Sequence, residues 1–288
     1  MTGRIVLAAT PIGNSDDASA RLRDTLASAD VIAAEDTRRV RDLARRLGID
    51  LTAEILAVHD HNEGDRAPGL VARALAGAQV VVVSDAGMPT VSDPGFRMVE
   101  AAVAEGAPVT VLPGPSAVLT ALALSGLPTD RFCFEGFVPR KAGERTRMLA
   151  ALVAEPRTMV FFEAPHRLEA TLEAMAHELG EDRPAAVCRE LTKTYEETRR
   201  GALQDLVAWA RETSPRGEIV IVVGGRPARA PSVDSLVAEA LARVAAGERA
   251  KDAVADLAQA GGVPRRDLYA AVLQARVGAE PEGGAGAR

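Results

Sequence analysis

Aromatic residues make up only 3% of this 288-residue chain, so its core must be packed from Val, Leu, Ile and Ala. Cysteine is scarce. Cys133 and Cys188 lie far apart in apolar, strand-like runs, which suits two small buried hydrophobes better than a disulfide or a metal pair. Four histidines, with no second His/Cys cluster to join His59-Asp60-His61-Asn62-Glu63, argue against a metal site. No apolar run approaches a membrane span and no secretory leader precedes the first strand, so a cytoplasmic location is expected. Positive charge is not in excess. The 34 Lys and Arg against 40 Asp and Glu leave −6, so any RNA partner must meet a local patch rather than a global field. The phosphate-binding glycine fingerprint is missing as well. The first strand, Arg4 to Ala9, runs into Thr10-Pro11-Ile12-Gly13-Asn14, where Pro11 removes an amide that a pyrophosphate would use.

What the chain does have is VVVVSDAGMPTVSDPG at 80–95. Four β-branched residues without alternation predict a strand covered on both faces, as in a parallel sheet. Gly87, Pro89, Pro94 and Gly95 then forbid an immediate helix. A rigid loop at the carboxyl end of such a strand is where open α/β sheets hold ligands. This one carries Asp85 and Asp93 but no cation before Arg97, which favours a ligand with hydroxyls, an amine or a positive centre.

Strands predicted at 4–9, 31–34, 56–58, 80–83 and 108–112, with helices between them, make residues 1–113 a first α/β domain. Residues 114–225 read as a second α/β domain. The run Tyr195 to Gly201 leaves little room for a preceding helix, so its sheet should be mixed. Residues 232–275 should form two or three amphipathic helices, and 277–288, rich in Gly, Ala and Glu, a disordered tail. The fold class is thus α/β, with two α/β domains, a cleft between them and a small helical appendage.

Polar residues gather at the strand ends. Glu35-Asp36-Thr37-Arg38-Arg39 leaves the second strand, with Arg41, Arg45 and Arg46 behind it on helical spacing. Two readings stand: a capped and solvated helix face, or a basic ridge that meets phosphates. The 59–63 loop offers hydrogen bonds or a general base. Pro113-Gly114-Pro115-Ser116-Ala117 is a sharp turn in which Ser116 can cap a helix, whose exposed amides can hold a carboxylate. Arg140, Lys141, Arg145 and Arg147 form either an ordinary surface helix or an RNA-facing lid. His166 and Arg167 follow a proline and read as helix cap and surface.

Seven motifs add to this. ATPIGN at 9–14, AEDTR at 34–38, HDHNE at 59–63, VSDAGMPTVSDPG at 83–95, LPGPSA at 112–117, DRFCFEGF at 130–137 and ELTKTYEE at 190–197 resemble, in order and spacing, the tetrapyrrole methylase-like (class III) methyltransferases. The set is most similar to the branch that modifies small-subunit ribosomal RNA. The resemblance covers about residues 1–225 strongly and the helical end more loosely.

It implies S-adenosylmethionine folded in the cleft, a homodimer, and 2′-O-methylation of a cytidine in the decoding region of 16S rRNA. By position, the resemblance assigns Ile12, Gly13, Asp85, Gly87, Met88, Ser116 and Ala117 to the cofactor, with Phe162, Leu191 and Glu218 closing over the adenosine. A ribose hydroxyl is a poor nucleophile, so a base should assist. The candidates are Glu35, Asp36, His61, Glu63 and Lys193, with Glu35 and His61 ranked first. Arg38, Arg39, Arg140, Lys141 and Arg199 would take phosphates of the rRNA or the small ribosomal subunit. No metal is required. Two other functions compete: a small-molecule methylase acting on a tetrapyrrole, and a silent RNA- or ribosome-binding protein that kept the cleft.

Overall fold

A computed structural model describes residues 3–226 and 233–278, in two compact units that divide at Arg226. In chain order the first unit holds β1 (Arg4–Ala8), α1 (Ala20–Ala27), β2 (Val31–Ala34), α2 (Thr37–Leu47), β3 (Glu54–Ala57), α3 (Glu63–Leu75), β4 (Gln79–Val83), α4 (Phe96–Ala104) and β5 (Val109–Leu112). It continues with α5 (Ala117–Ser125), β6 (Phe132–Phe137), α6 (Ala142–Ala151), β7 (Thr158–Glu163), α7 (Leu168–Leu179), β8 (Pro184–Arg189), β9 (Glu197–Ala202), α8 (Leu203–Thr213) and β10 (Ile219–Val223).

The first sheet has the order β3-β2-β4-β1-β5 and is parallel throughout. Its unalternating valines are explained by two cores. Val80 and Val82 point with Ile5 and Leu7 toward Leu70, Val71 and Met98 of α3 and α4. Val81 and Val83 point with Val6 and Ala8 toward Leu22, Leu26, Val40 and Leu43 of α1 and α2. Side chains alternate along a strand, so both sets need apolar residues when both faces are covered. Each fully buried leucine, such as Leu22 or Leu26, contributes about 1.5–3 kcal/mol.

The second sheet, β6-β7-β10-β8-β9, is mixed as expected: β6 and β7 are parallel, and the other neighbours run antiparallel. One face carries α6, α7 and α8 through Leu149, Leu172, Met175, Leu203 and Leu206. The opposite face packs on Val118, Ala121 and Leu122 of α5, and also on Ile12 and Val91 from the strand-end loops of the first sheet. Those two loops are therefore built into the second sheet's core. Cys188 is buried there, Cys133 is partly buried, and both are free thiols.

The second unit has three helices, α9 (Val233–Ala245), α10 (Ala250–Gly261) and α11 (Arg265–Gly278), packed through Leu236, Leu257, Leu268 and Val272. Helix α10 ends on Gly262, left-handed at φ 65°. The last helix runs to Gly278, beyond the expected end at 275. The expected tail, from 279 on, lies outside the described residues, as do residues 227–232. Among the described residues no helix is long and apolar enough to cross a membrane.

Candidate active site

The carboxyl ends of β1, β2 and β4 meet the second sheet around a cavity of about 440 Å³. That size lies within the usual range of small-molecule sites. Its polar end is made by Glu35, Asp85, Asp93 and Ser116, and its apolar wall by Ile12, Met88, Val91, Phe162, Ile219 and Val220. A second depression of about 500 Å³ adjoins it and shares Arg39 and Asp85. Thr10, Asp36, Arg38, Asp42 and Arg46 line it further.

The loop after β4 is held tightly. Gly87 pairs with Thr10 as a two-way bridge, Thr10 N to Gly87 O at 2.8 Å and Gly87 N to Thr10 O at 3.1 Å. Gly87 has φ 81°, and a Cβ there would stand 3.3 Å from Ile12 Cγ2. Thr90 at φ 79° and Ser92 at φ 61° are left-handed without being glycine. A β-branched residue pays for that conformation in strain, of order 1–3 kcal/mol, and such strain collects at ligand sites. Glu63 keeps the loop in place. It is 3% exposed, and its Oε1 accepts from Gly95 N and Met98 N, both at 2.9 Å, at the start of α4.

Electrostatics separate the carboxyls. Asp36 caps α2, accepts from Arg38 N at 2.8 Å and pairs with the Arg38 guanidinium at 2.6 Å, which holds it down at about 2. Burial pushes Glu35 above its ordinary value, opposed by the hydrogen bond it accepts from Asp85 N at 3.3 Å. Burial also pushes Asp93 up, to about 7, helped by the Glu35 charge and opposed by a hydrogen bond with Ser84. Of these carboxyls, Glu35 and Asp93 in the cavity are both pushed up while Asp36 beside it is pushed down, and perturbed groups of this kind gather at functional sites.

The family model of the tetrapyrrole (corrin/porphyrin) methylases matches residues 4–207. The chain belongs to the tetrapyrrole methylase family. A Mycobacterium tuberculosis protein named ribosomal RNA small subunit methyltransferase I is 52% identical over 276 residues, 96% of each chain. An Escherichia coli O157:H7 protein of the same name is 41% identical over 274 residues, covering 94% of this chain and 95% of that one. A solved uroporphyrin-III C-methyltransferase from Thermus thermophilus, complexed with S-adenosylhomocysteine, matches with TM-score 0.52 at 22% identity. It covers 77% of this chain and 97% of its own, which shows the shared methylase fold.

Of the positions that the methylase resemblance assigned to the cofactor, Ile12, Asp85, Gly87, Met88, Ser116, Ala117, Phe162 and Glu218 line the first cavity. Gly13 and Leu191 do not. They pack against each other beside it: a Cβ on Gly13 would stand 2.8 Å from Leu191 O and 2.5 Å from Lys193 Cγ, and Leu191 is buried in the core. Among the base candidates Glu35 alone lines that cavity.

The other candidates need correction. Asp36 lines the adjoining depression instead, and its carboxylate is committed to Arg38. His61 is exposed and lines neither cavity, because Asn62 Oδ1 accepts from His59 N at 2.9 Å and closes the turn into α3 without it. Glu63 is a buried brace. Burial opposes the Lys193 charge, but pairs with Glu190 at 2.8 Å and Glu218 at 3.1 Å outweigh it and hold the ammonium above its ordinary value. An ammonium so held donates and does not abstract.

Of the predicted phosphate contacts, Arg38 and Arg39 line the adjoining depression, and Arg39 lines the first cavity as well. Arg140 and Lys141 are exposed just past β6, and Arg199 is exposed on the edge strand β9. Asp93, the second carboxylate of the loop after β4, lines the cavity with Asp85. Among the described residues no cluster of three or more His, Cys, Asp or Glu is placed to hold a metal ion.

Proposed function

We propose that this chain transfers the methyl group of S-adenosylmethionine to the 2′-hydroxyl of a cytidine in the decoding region of 16S rRNA. The observation that carries the proposal is one cavity combining acidic and apolar lining with a glutamate raised above its ordinary pKa, in a chain 52% identical to a named small-subunit rRNA methyltransferase. S-adenosylmethionine supplies an electrophilic methyl on a sulfonium. Its amine suits Asp85 and Asp93, and its carboxylate suits Ser116 and the amides opening α5. Its adenosine suits Phe162, Ile219 and Val220, with Glu218 at the ribose hydroxyls. Gly87 fits as well, since a side chain there would press on Ile12.

Methyl transfer is an in-line displacement, so the residues mainly align and deprotonate. Glu35 takes the hydroxyl proton, its burial having raised it toward the pH at which a base both is ionised and accepts readily. Arg39, 60% exposed at the shared border of the two depressions, holds the neighbouring phosphate together with Arg38. The same reading includes a homodimer in the cytoplasm and the small ribosomal subunit as partner. The exposed flank of α5, with Leu119 at 55% exposure, suits a second copy.

The test supplies labelled methyl donor with undermethylated small subunits, and separately with a porphyrin-type acceptor. Incorporation into rRNA supports the proposal. Transfer only to the porphyrin would establish the small-molecule methylase instead, and no donor binding by calorimetry would establish the silent binding protein.

A further inference from the structure

Six phenylalanines serve the whole chain, and three of them meet at this cavity. The ring of Phe162 is met edge-on by Phe134, with centroids 4.8 Å apart, and by Phe137 at 5.5 Å. Phe134 and Phe162 are partly buried against the core, whereas Phe137 is 57% exposed and lines the cavity. On a regular strand, residues three apart point to opposite faces. Phe134 and Phe137 share a face only because β6 slips its register against β7 between Phe134 and Gly136, with Gly136 left-handed at φ 70°. Bulges of this kind re-aim side chains beside functional sites. Here the bulge turns a large aromatic ring out of the core and onto the cavity rim. The chain then continues through Pro139 to Arg140, which is exposed and has no hydrogen-bond or ion-pair partner among the described residues, and to Lys141.

An exposed ring seated edge-on against Phe162 and followed by free positive charge is the arrangement that holds an unstacked base with its phosphates. We infer that Phe137 is the stacking platform for the base of the methyl-accepting nucleotide, with Arg140 on a flanking phosphate. The inference rests on the rRNA reading above and adds the residue that grips the base. It also separates two faces of the aromatic cluster: Phe162 walls the donor, and Phe137 faces the acceptor.

Phe137→Ala, Phe137→Leu and Phe137→Trp test this, with two readouts: calorimetric affinity for S-adenosylmethionine, and KM and kcat for methyl transfer to undermethylated small subunits. Because Phe137 is largely exposed, shortening it opens no core cavity. Expected is donor affinity within about twofold of the parent in all three. KM should rise roughly tenfold or more in the Ala variant, the size of one lost base–aromatic stack. Leu should behave like Ala, since it keeps apolar area but has no π-face, and Trp should restore the parent KM. Loss of donor affinity in step with KM would overturn the inference, because Phe137 would then belong to the donor site. Full activity in the Leu variant would also overturn it, because an apolar wall would suffice. If the parent protein itself transfers nothing to small subunits, the rRNA reading fails and this inference falls with it. Normal transfer by the parent with an unchanged Ala variant sinks the inference alone.

Discussion

Arg39 Nε lies 3.2 Å from Asp85 Oδ2, while Asp85 Oδ1 accepts from Asp36 N at 3.0 Å. One carboxylate thus ties the loop after β4 to the first turn of α2 and sits on the border of both depressions. Asp85→Ala removes that tie and the charge offered to the donor's amine. A charge-assisted hydrogen bond is worth about 1.5–3 kcal/mol, so donor affinity should fall roughly ten- to a hundredfold. Calorimetric titration with S-adenosylmethionine reads this directly, and Asp85→Asn, which still accepts from Asp36 N, should lose less.

Glu35→Gln should behave differently. It keeps the shape and a hydrogen-bond acceptor, so donor affinity should stay near the parent value. The transfer rate should drop roughly 10²- to 10⁴-fold, as for a lost general base. The base works as a carboxylate, so in the parent protein the rate should be lost as pH falls through its raised pKa, above the ordinary 4.5. Single-turnover rates across pH would show that acid limb in the parent and not in the variant. An unchanged rate in Glu35→Gln would remove Glu35 as the base.

Asp93 gives a pH-dependent prediction for stability. Its folded value of about 7 exceeds the ordinary 3.8, so between those values the folded chain holds a proton that the unfolded chain has released. Its contribution is therefore least unfavourable near pH 4, worsens as pH rises, and is complete above about 7. Replacing Asp93 by Asn abolishes the ionisation. The Tm advantage of Asp93→Asn over the parent should grow from pH 4 to 7 and level off by about 8. Donor binding near pH 6.5 should also release a proton, because a cationic amine favours the ionised form. Calorimetry in buffers of different ionisation enthalpy should detect that release in the parent and not in Asp93→Asn.

Glu63 should prove structural. Glu63→Ala orphans two buried amides, Gly95 N and Met98 N, at a cost of about 3 kcal/mol. For a unit of this size that is roughly 6–12 °C in Tm. Glu63→Gln still accepts and should recover most of it. If Glu63→Gln keeps its Tm but loses turnover as severely as Glu35→Gln, Glu63 is part of the chemistry after all.

Much of this molecule is legible in its sequence, for physical reasons that also mark where reading stops. Val80–Val83 announced a two-faced parallel strand because burial on both sides leaves no polar position. Pro and Gly after β1, β4 and β5 announced loops because neither continues a helix or a central strand. Helix α3 begins at Glu63 and carries Pro68 within it. The sequence placed Glu63 in the polar 59–63 loop, whereas it opens the helix and is buried. His61 and Glu63 looked equivalent in HDHNE, yet one turn of chain sends one to solvent and the other beneath α4. The path of the loop that carries Asp93 was not legible, because it bends through left-handed Thr90 and Ser92, which nothing in their identity demands. The apposition of Phe137 and Phe162 depends on a bulge whose only local sign is Gly136.

The central claim is a chemical position, the ribose 2′-oxygen, and that position has a direct readout. A 2′-O-methyl group protects the adjoining phosphodiester from alkali, since the neighbouring oxygen can no longer attack phosphorus. Undermethylated small subunits treated with the protein and methyl-labelled S-adenosylmethionine should yield, after alkaline hydrolysis of the 16S rRNA, the label in an alkali-resistant dinucleotide beginning with a 2′-O-methylated cytidine. Label recovered in a mononucleotide with a methylated base, or none in rRNA at all, would contradict the account.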